Sequence, residues 1–164
     1  MLTLSTGAAL WFLVATTPVA FVSAFNDLKR MKLPNALVLV LVAIYVISGP
    51  FVLSFEQYLW GFAHGVIMYG VGMFLFMFAG VGAGDGKFAA AMSMFIPLAD
   101  AMPVLMIFCA FLLGAFTAHR ILRAVPAIRR ATPDWVSWGH NKFPMGLALA
   151  GTLITYFAIA TFGA

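Results

Sequence analysis

Two aspartates stand out in a chain with few other acids. Asp27 follows a long uncharged stretch in Phe25-Asn26-Asp27-Leu28-Lys29-Arg30, and Asp85 sits in Gly82-Ala83-Gly84-Asp85-Gly86-Lys87. An ionisable side chain beside a long apolar run is costly to keep, which makes each a functional candidate. Two carboxyls brought together in a partly dry site cannot both ionise easily, so they share a proton. One can then activate a water as base while the other delivers a proton to a peptide carbonyl. That is aspartic-peptidase chemistry, and it needs no metal or cofactor.

Taken singly, each aspartate has a plainer reading. Asp27 could balance the neighbouring cations Lys29, Arg30 and Lys32, and Asp85 could belong to a glycine-rich turn. The pair is what points to chemistry. Other chemistries find no support in the spacing: the single cysteine, Cys109, lies inside an apolar run, and His64, His119 and His140 fall in separate segments without ligand-like intervals. The histidines read as structural or interfacial groups. Lys87 reads either as a charge that tunes Asp85 or as one more topology signal.

The elements that must position these residues are membrane helices. The chain has 164 residues, is 64% hydrophobic and 9% charged, and has a mean hydropathy of +1.06, more apolar than a soluble domain of this size could bury. A spanning helix needs about 20 apolar residues. Uncharged stretches run over 4–25, 34–55, 58–80, 88–99, 102–118 and 143–163, which predicts an all-α integral membrane protein of about six transmembrane helices. The fourth is short or re-entrant, with Pro97, Asp100 and Pro103 turning the chain into the fifth.

Charge sets the sidedness. With the N-terminus outside, all nine Lys and Arg residues fall on the cytoplasmic side, as the positive-inside rule requires. Asp27 and Asp85 then share that face, Glu56 and Asp100 fall in outer turns, and the C-terminus is outside. The net charge of +4 is therefore a topology signal and not the footprint of nucleic acid. Cations after the first apolar run, and none before it, favour a retained helix over a cleaved signal. Gly61, Gly65, Gly70 and Gly72 read as helix-packing positions. Arg120 to Lys142, with four arginines, two prolines and two tryptophans, suits a segment lying along anionic lipid headgroups. No repeat or long linker divides residues 1–164.

These residues resemble the type IV prepilin peptidases, whose pattern is a first aspartate, a basic stretch with Ile/Leu-Pro-Asn, and then GxGD. Here those are Asp27, Lys29-Arg30, Leu33-Pro34-Asn35, and Gly82-Ala83-Gly84-Asp85 followed by Lys87. Phe143-Pro144-Met145-Gly146 matches the family's final-helix entry in part, with Met145 where a tyrosine is usual. The resemblance implies one membrane peptidase domain with Asp27 and Asp85 as catalytic pair and Gly82, Gly84, Lys87, Pro34 and Asn35 as supporting motif. It implies a prepilin or pilin-like substrate, cut between basic leader and hydrophobic helix at the cytoplasmic face of a bacterial inner membrane. Larger relatives carry an insertion with paired CxxC motifs linked to methylation. With one cysteine, this chain is similar to the short, single-activity form of Flp/Tad-type systems. Two other classes remain open at this point: a small transporter or channel subunit, which would place polar groups or broken helices near the bilayer midplane, and a non-catalytic pilus-assembly scaffold.

Overall fold

Apolar runs of this length can satisfy their backbone inside a bilayer only as helices or closed barrels, and here they are helices. The computed structural model describes residues 2–140 and 142–163, and within these it forms α1 (Thr6–Arg30), α2 (Asn35–Val52), α3 (Phe55–Ala79), α4 (Ala83–Ser93), α5 (Ala101–Ala124), α6 (Pro126–Ala131) and α7 (Met145–Phe162), with no strand among the described residues. Five helical segments are long and apolar enough to cross a membrane: α1, α2, α3, Leu98–Ala124 and α7. Local signals fix their ends. Ser5 caps α1, and Ser54 with Gln57 forms a reciprocal capping box that starts α3.

The fourth crossing is the exception that shapes the molecule. α4 has only 11 residues and runs beside α3, with Gly86 against Gly72 near one end and Met94 against Gly61 near the other. The chain then continues through a 3-10 turn, Leu98–Asp100, to meet the first residues of the chain: the Thr3 N–H donates to both Asp100 carboxyl oxygens, at 2.8 and 3.0 Å. Residues 88–100 therefore cross the bundle; they are not a re-entrant loop. Of the glycines expected to pack helices, Gly61, Gly65 and Gly72 do so, each where a Cβ would collide with a neighbour. Gly70 does not, since a Cβ there would meet nothing.

The core is the antiparallel pair α1 and α7, with α4 packed chiefly on α3 and more lightly on α2 and α7. Phe12, Phe95 and Phe157 interlock in the half of the bundle nearer Asp100, with ring centroids 5.0 to 6.0 Å apart. α2 packs on α1, α5 on α7 and α3 on α4, and all three leave much of their apolar surface outward, as lipid-facing helices do. Cys109 is on that exposed surface. The Lys and Arg residues gather at the end of the bundle where α1 finishes and α7 begins, and Asp100 lies at the other.

Asp100 lies in a turn at the end opposite the cations, as its neighbours in the sequence predict, but it is buried there. It is 1% exposed and also accepts the Tyr156 hydroxyl at 2.8 Å, so one carboxyl joins the start of α1, the α4–α5 turn and α7. The sequence places it beside Pro97 and Pro103 but gives no hint of partners 97 and 56 residues away. Asp100→Ala strands the buried Tyr156 hydroxyl, frees the Thr3 N–H, and is expected to cost about 1.5–3 kcal/mol, the usual size for hydrogen bonds to a charged group. Unfolding in mixed micelles measures this, and a variant as stable as the parent would show that the tie contributes nothing.

Candidate active site

At the basic end, a cleft of about 480 Å³ is lined by Asp27 and Asp85 together with the chain between α1 and α2 and the Gly82-Ala83-Gly84 turn. Two helix ends supply the carboxyls. Asp27 lies inside α1, one turn before its end, and is 5% exposed. Its carbonyl accepts the Met31 N–H at 2.8 Å, and Met31 adopts the left-handed conformation, φ 52°, that turns the chain away from the helix. Its carboxyl Oδ2 accepts the Gly146 N–H at 2.7 Å. Gly146 is the second residue of α7, so this donor is one of the N–H groups a helix start leaves without an internal partner. A side chain there would lie 3.0 Å from Asp27 Cβ and Oδ2, which only glycine avoids.

Asp85 is the third residue of α4, whereas the sequence places the helix start near Phe88. The five span-forming helices do not include it, and the apolar stretch of the fourth crossing begins three residues later, so Asp85 belongs to the cleft. Its carboxyl folds back onto Gly82 at the N-cap, where a Cβ would collide with Oδ2. Gly84 lies against Leu33, so close that a methyl group on it would sit 3.1 Å from Leu33 Cβ, and this contact seats the Leu33-Pro34-Asn35 segment on the aspartate turn. Pro34 is the N-cap of α2 and Asn35 its first residue. The motif glycines therefore act through close approach. The positive φ values in the described chain belong to Met31 and Gly80, outside the Gly82–Gly86 motif.

Electrostatics set the two carboxyls against each other. Burial, and next the charge of Asp27, push the Asp85 carboxyl up to about 7, against the opposing pull of the Gly82 N–H and the Lys142 cation. Lys87 is off the cleft wall; its Nζ donates to Asn35 Oδ1 at 3.2 Å and so ties α4 to the start of α2. The cation that acts on Asp85 is Lys142, anchored to the Gly80 carbonyl at 3.1 Å. Nothing in the sequence singles out Lys142, which lies far from Asp85 along the chain. Gly146 is visible there only as part of an imperfect motif.

The Arg120 to Lys142 segment borders this end. Asp134 pairs with Lys29 at 2.6 Å, which holds its exposed carboxyl below the usual range and engages it outside the cleft. Trp138 is buried and stacks on His119 at 5.0 Å, while Trp135 meets Phe25 edge-on at 6.0 Å. His64, with its proton on Nδ1, donates to the Ile96 carbonyl, 3.0 Å away, on the opposite half of the bundle. Two of the three histidines thus have structural surroundings, and His140 contacts the Lys142 N–H at 3.2 Å.

The coupling of the two carboxyls is open to a direct test. Asp27→Asn removes the like charge, so the Asp85 carboxyl is expected to titrate below about 7 in that variant, read by infrared difference spectroscopy of the carboxyl band. An unmoved titration would mean that the two groups do not sense each other.

The chain matches the type IV leader peptidase family, Peptidase_A24, over residues 5–119, a stretch that includes both Asp27 and Asp85. No curated protein and no solved structure matches the chain. A match across most of the sequence is enough to assign it: this multi-pass membrane protein belongs to the type IV leader peptidase family.

Proposed function

We propose that the protein is an aspartic endopeptidase of one membrane domain, residues 1–164, that removes the basic leader from prepilins or pilin-like proteins at the cytoplasmic face. The observation that carries this reading is the shared cleft: Asp27 and Asp85 line one space although they come from different helices. Asp27, oriented by the Gly146 N–H, acts as base on the attacking water. Asp85, raised to about 7, carries the shared proton and gives it to the carbonyl oxygen of the scissile peptide. Water adds to the carbonyl carbon as its proton passes to Asp27; collapse of the resulting gem-diol expels the amine with that proton, and the hydroxyl formed from the carbonyl oxygen returns its proton to Asp85. Gly82, Gly84, Pro34 and Asn35 hold the two helix starts in register, and Lys87 fastens them through Asn35.

Sidedness follows from the gathering of cations at the cleft end, which favours the cytoplasm of a bacterial inner membrane with both termini outside. A reporter fused after Arg130 is expected to be cytoplasmic and one near Ser54 external; the reverse pattern would remove the cleft from the side of the prepilin leader. With no CxxC insertion in the sequence, the product is expected to leave with a free amine even when S-adenosylmethionine is supplied.

Asp27→Asn and Asp85→Asn are each expected to abolish cleavage of a prepilin in detergent, with the double variant no worse than either, because groups acting as a unit are not additive. Asp134→Asn keeps most activity. The proton belongs to the pair, so the rate falls as pH rises through about 7 and Asp85 ionises. Near-parent cleavage by Asp27→Asn, or a rate still rising above neutrality, would refute the mechanism.

A further inference from the structure

Asp85 faces a second space besides the polar cleft. A groove of about 570 Å³ runs from Asp85 along α4, with α3 and α5 as walls; Met68, Leu75, Ala89, Met92, Leu105 and Phe108 are among its lining. It exists because α4 is short while α3 packs chiefly on α4 and α5 chiefly on α7, which leaves the two long helices apart above it. The polar side chains at its far end are already engaged: His64 Nδ1 with the Ile96 carbonyl, and Ser93 Oγ donating to the Ala90 carbonyl at 2.8 Å. Asp85 is thus the ionisable group at the groove's near end, and it is common to groove and cleft.

We infer that this groove receives, as a helix, the apolar segment that follows the scissile bond, and that the bond cut is the first stretch of substrate beyond the groove at Asp85. The inference rests on the peptidase reading. A chain entering at this depth must satisfy its own backbone, so only a helix fits, and an apolar wall without free polar partners takes apolar side chains at helical spacing. An extended, cleavable backbone can exist only past Asp85, where the walls become polar. From Asp85 to Ile96 the groove is roughly 16 Å long, about three helical turns. A lipid acyl chain could fill the same apolar volume, but it has no need of a groove ending on a carboxyl.

Disulfide trapping distinguishes the occupants. In a Cys109→Ser, Asp27→Asn protein, Leu105→Cys presents a thiol on the groove wall and Leu113→Cys one on a part of α5 outside it. With a prepilin carrying one cysteine one or two turns after the scissile bond, Leu105→Cys is expected to link and Leu113→Cys is not. A leader cysteine should link to neither. Equal linking by both variants, or none by Leu105→Cys, would overturn the groove assignment and leave the groove to lipid. The same prepilin is incubated with Cys109→Ser protein retaining Asp27: cleavage without linking sinks the groove alone, whereas linking without cleavage sinks the peptidase reading and leaves the groove as a helix-binding site. As a second readout, Ala89→Phe, one turn below Asp85, is expected to raise KM about tenfold with kcat changed less than about twofold, the signature of lost substrate binding. An unchanged KM would count against the groove.

Discussion

A carboxyl buried at a helix end needs a donor, and for Asp27 that donor is the Gly146 N–H, 119 residues away and at the first turn of the last helix. The rest of the arrangement depends on this contact. It fixes the antiparallel register of α1 and α7, the most extensively packed pair, and it directs the positive end of α7 at a group that would otherwise be costly to bury. Asp100 does the corresponding work at the other end, where it gathers Thr3 and Tyr156. The pair α1 and α7 is therefore clamped at both ends by carboxyls, and α4 meets it on the α7 side.

The length of α4 links packing to chemistry. A full-length fourth helix would fill the space between α3 and α5. With 11 residues it instead slides close to α3 on paired glycines, Gly72 and Gly86, and brings Asp85 below the end of α3 to the level of Asp27. The same shortness opens the apolar groove that ends at Asp85. Depth of the carboxyl and access from the bilayer thus share one cause, and the near-featureless outer faces of α2, α3 and α5 need only tolerate lipid.

Much of this is legible in the sequence because hydropathy and charge act locally. The spans, the placing of cations at one end and the choice of Asp27 and Asp85, which the fold brings to one cleft, all follow from runs and neighbours along the chain. Tertiary pairing is what local reading misses. Its neighbours place Asp100 in an outer turn, yet it is buried by partners distant in sequence; Lys87 stands close to Asp85 along the chain but reaches Asn35, while Lys142 supplies the cation instead. The glycines around Asp85 suggest unusual dihedrals, and they serve close contact with Leu33 and Gly72. A helix start is displaced in the sequence reading where an acid sits in the first turn, as at Asp85, because an uncharged run begins only after the charge.

The central claim is that α1 and α4 bring Asp27 and Asp85 to one site. Paired cysteines at these two positions, in a Cys109→Ser protein held in native membranes, test it most directly. Mild oxidation or a short bis-thiol reagent should join the Asp27→Cys, Asp85→Cys pair and change its gel mobility after proteolysis between the helices, while an Asp27→Cys, Glu56→Cys pair at opposite ends of the bundle stays unlinked. Failure of the first pair to join, with both thiols shown to be reactive, would mean that the two aspartates do not form one site.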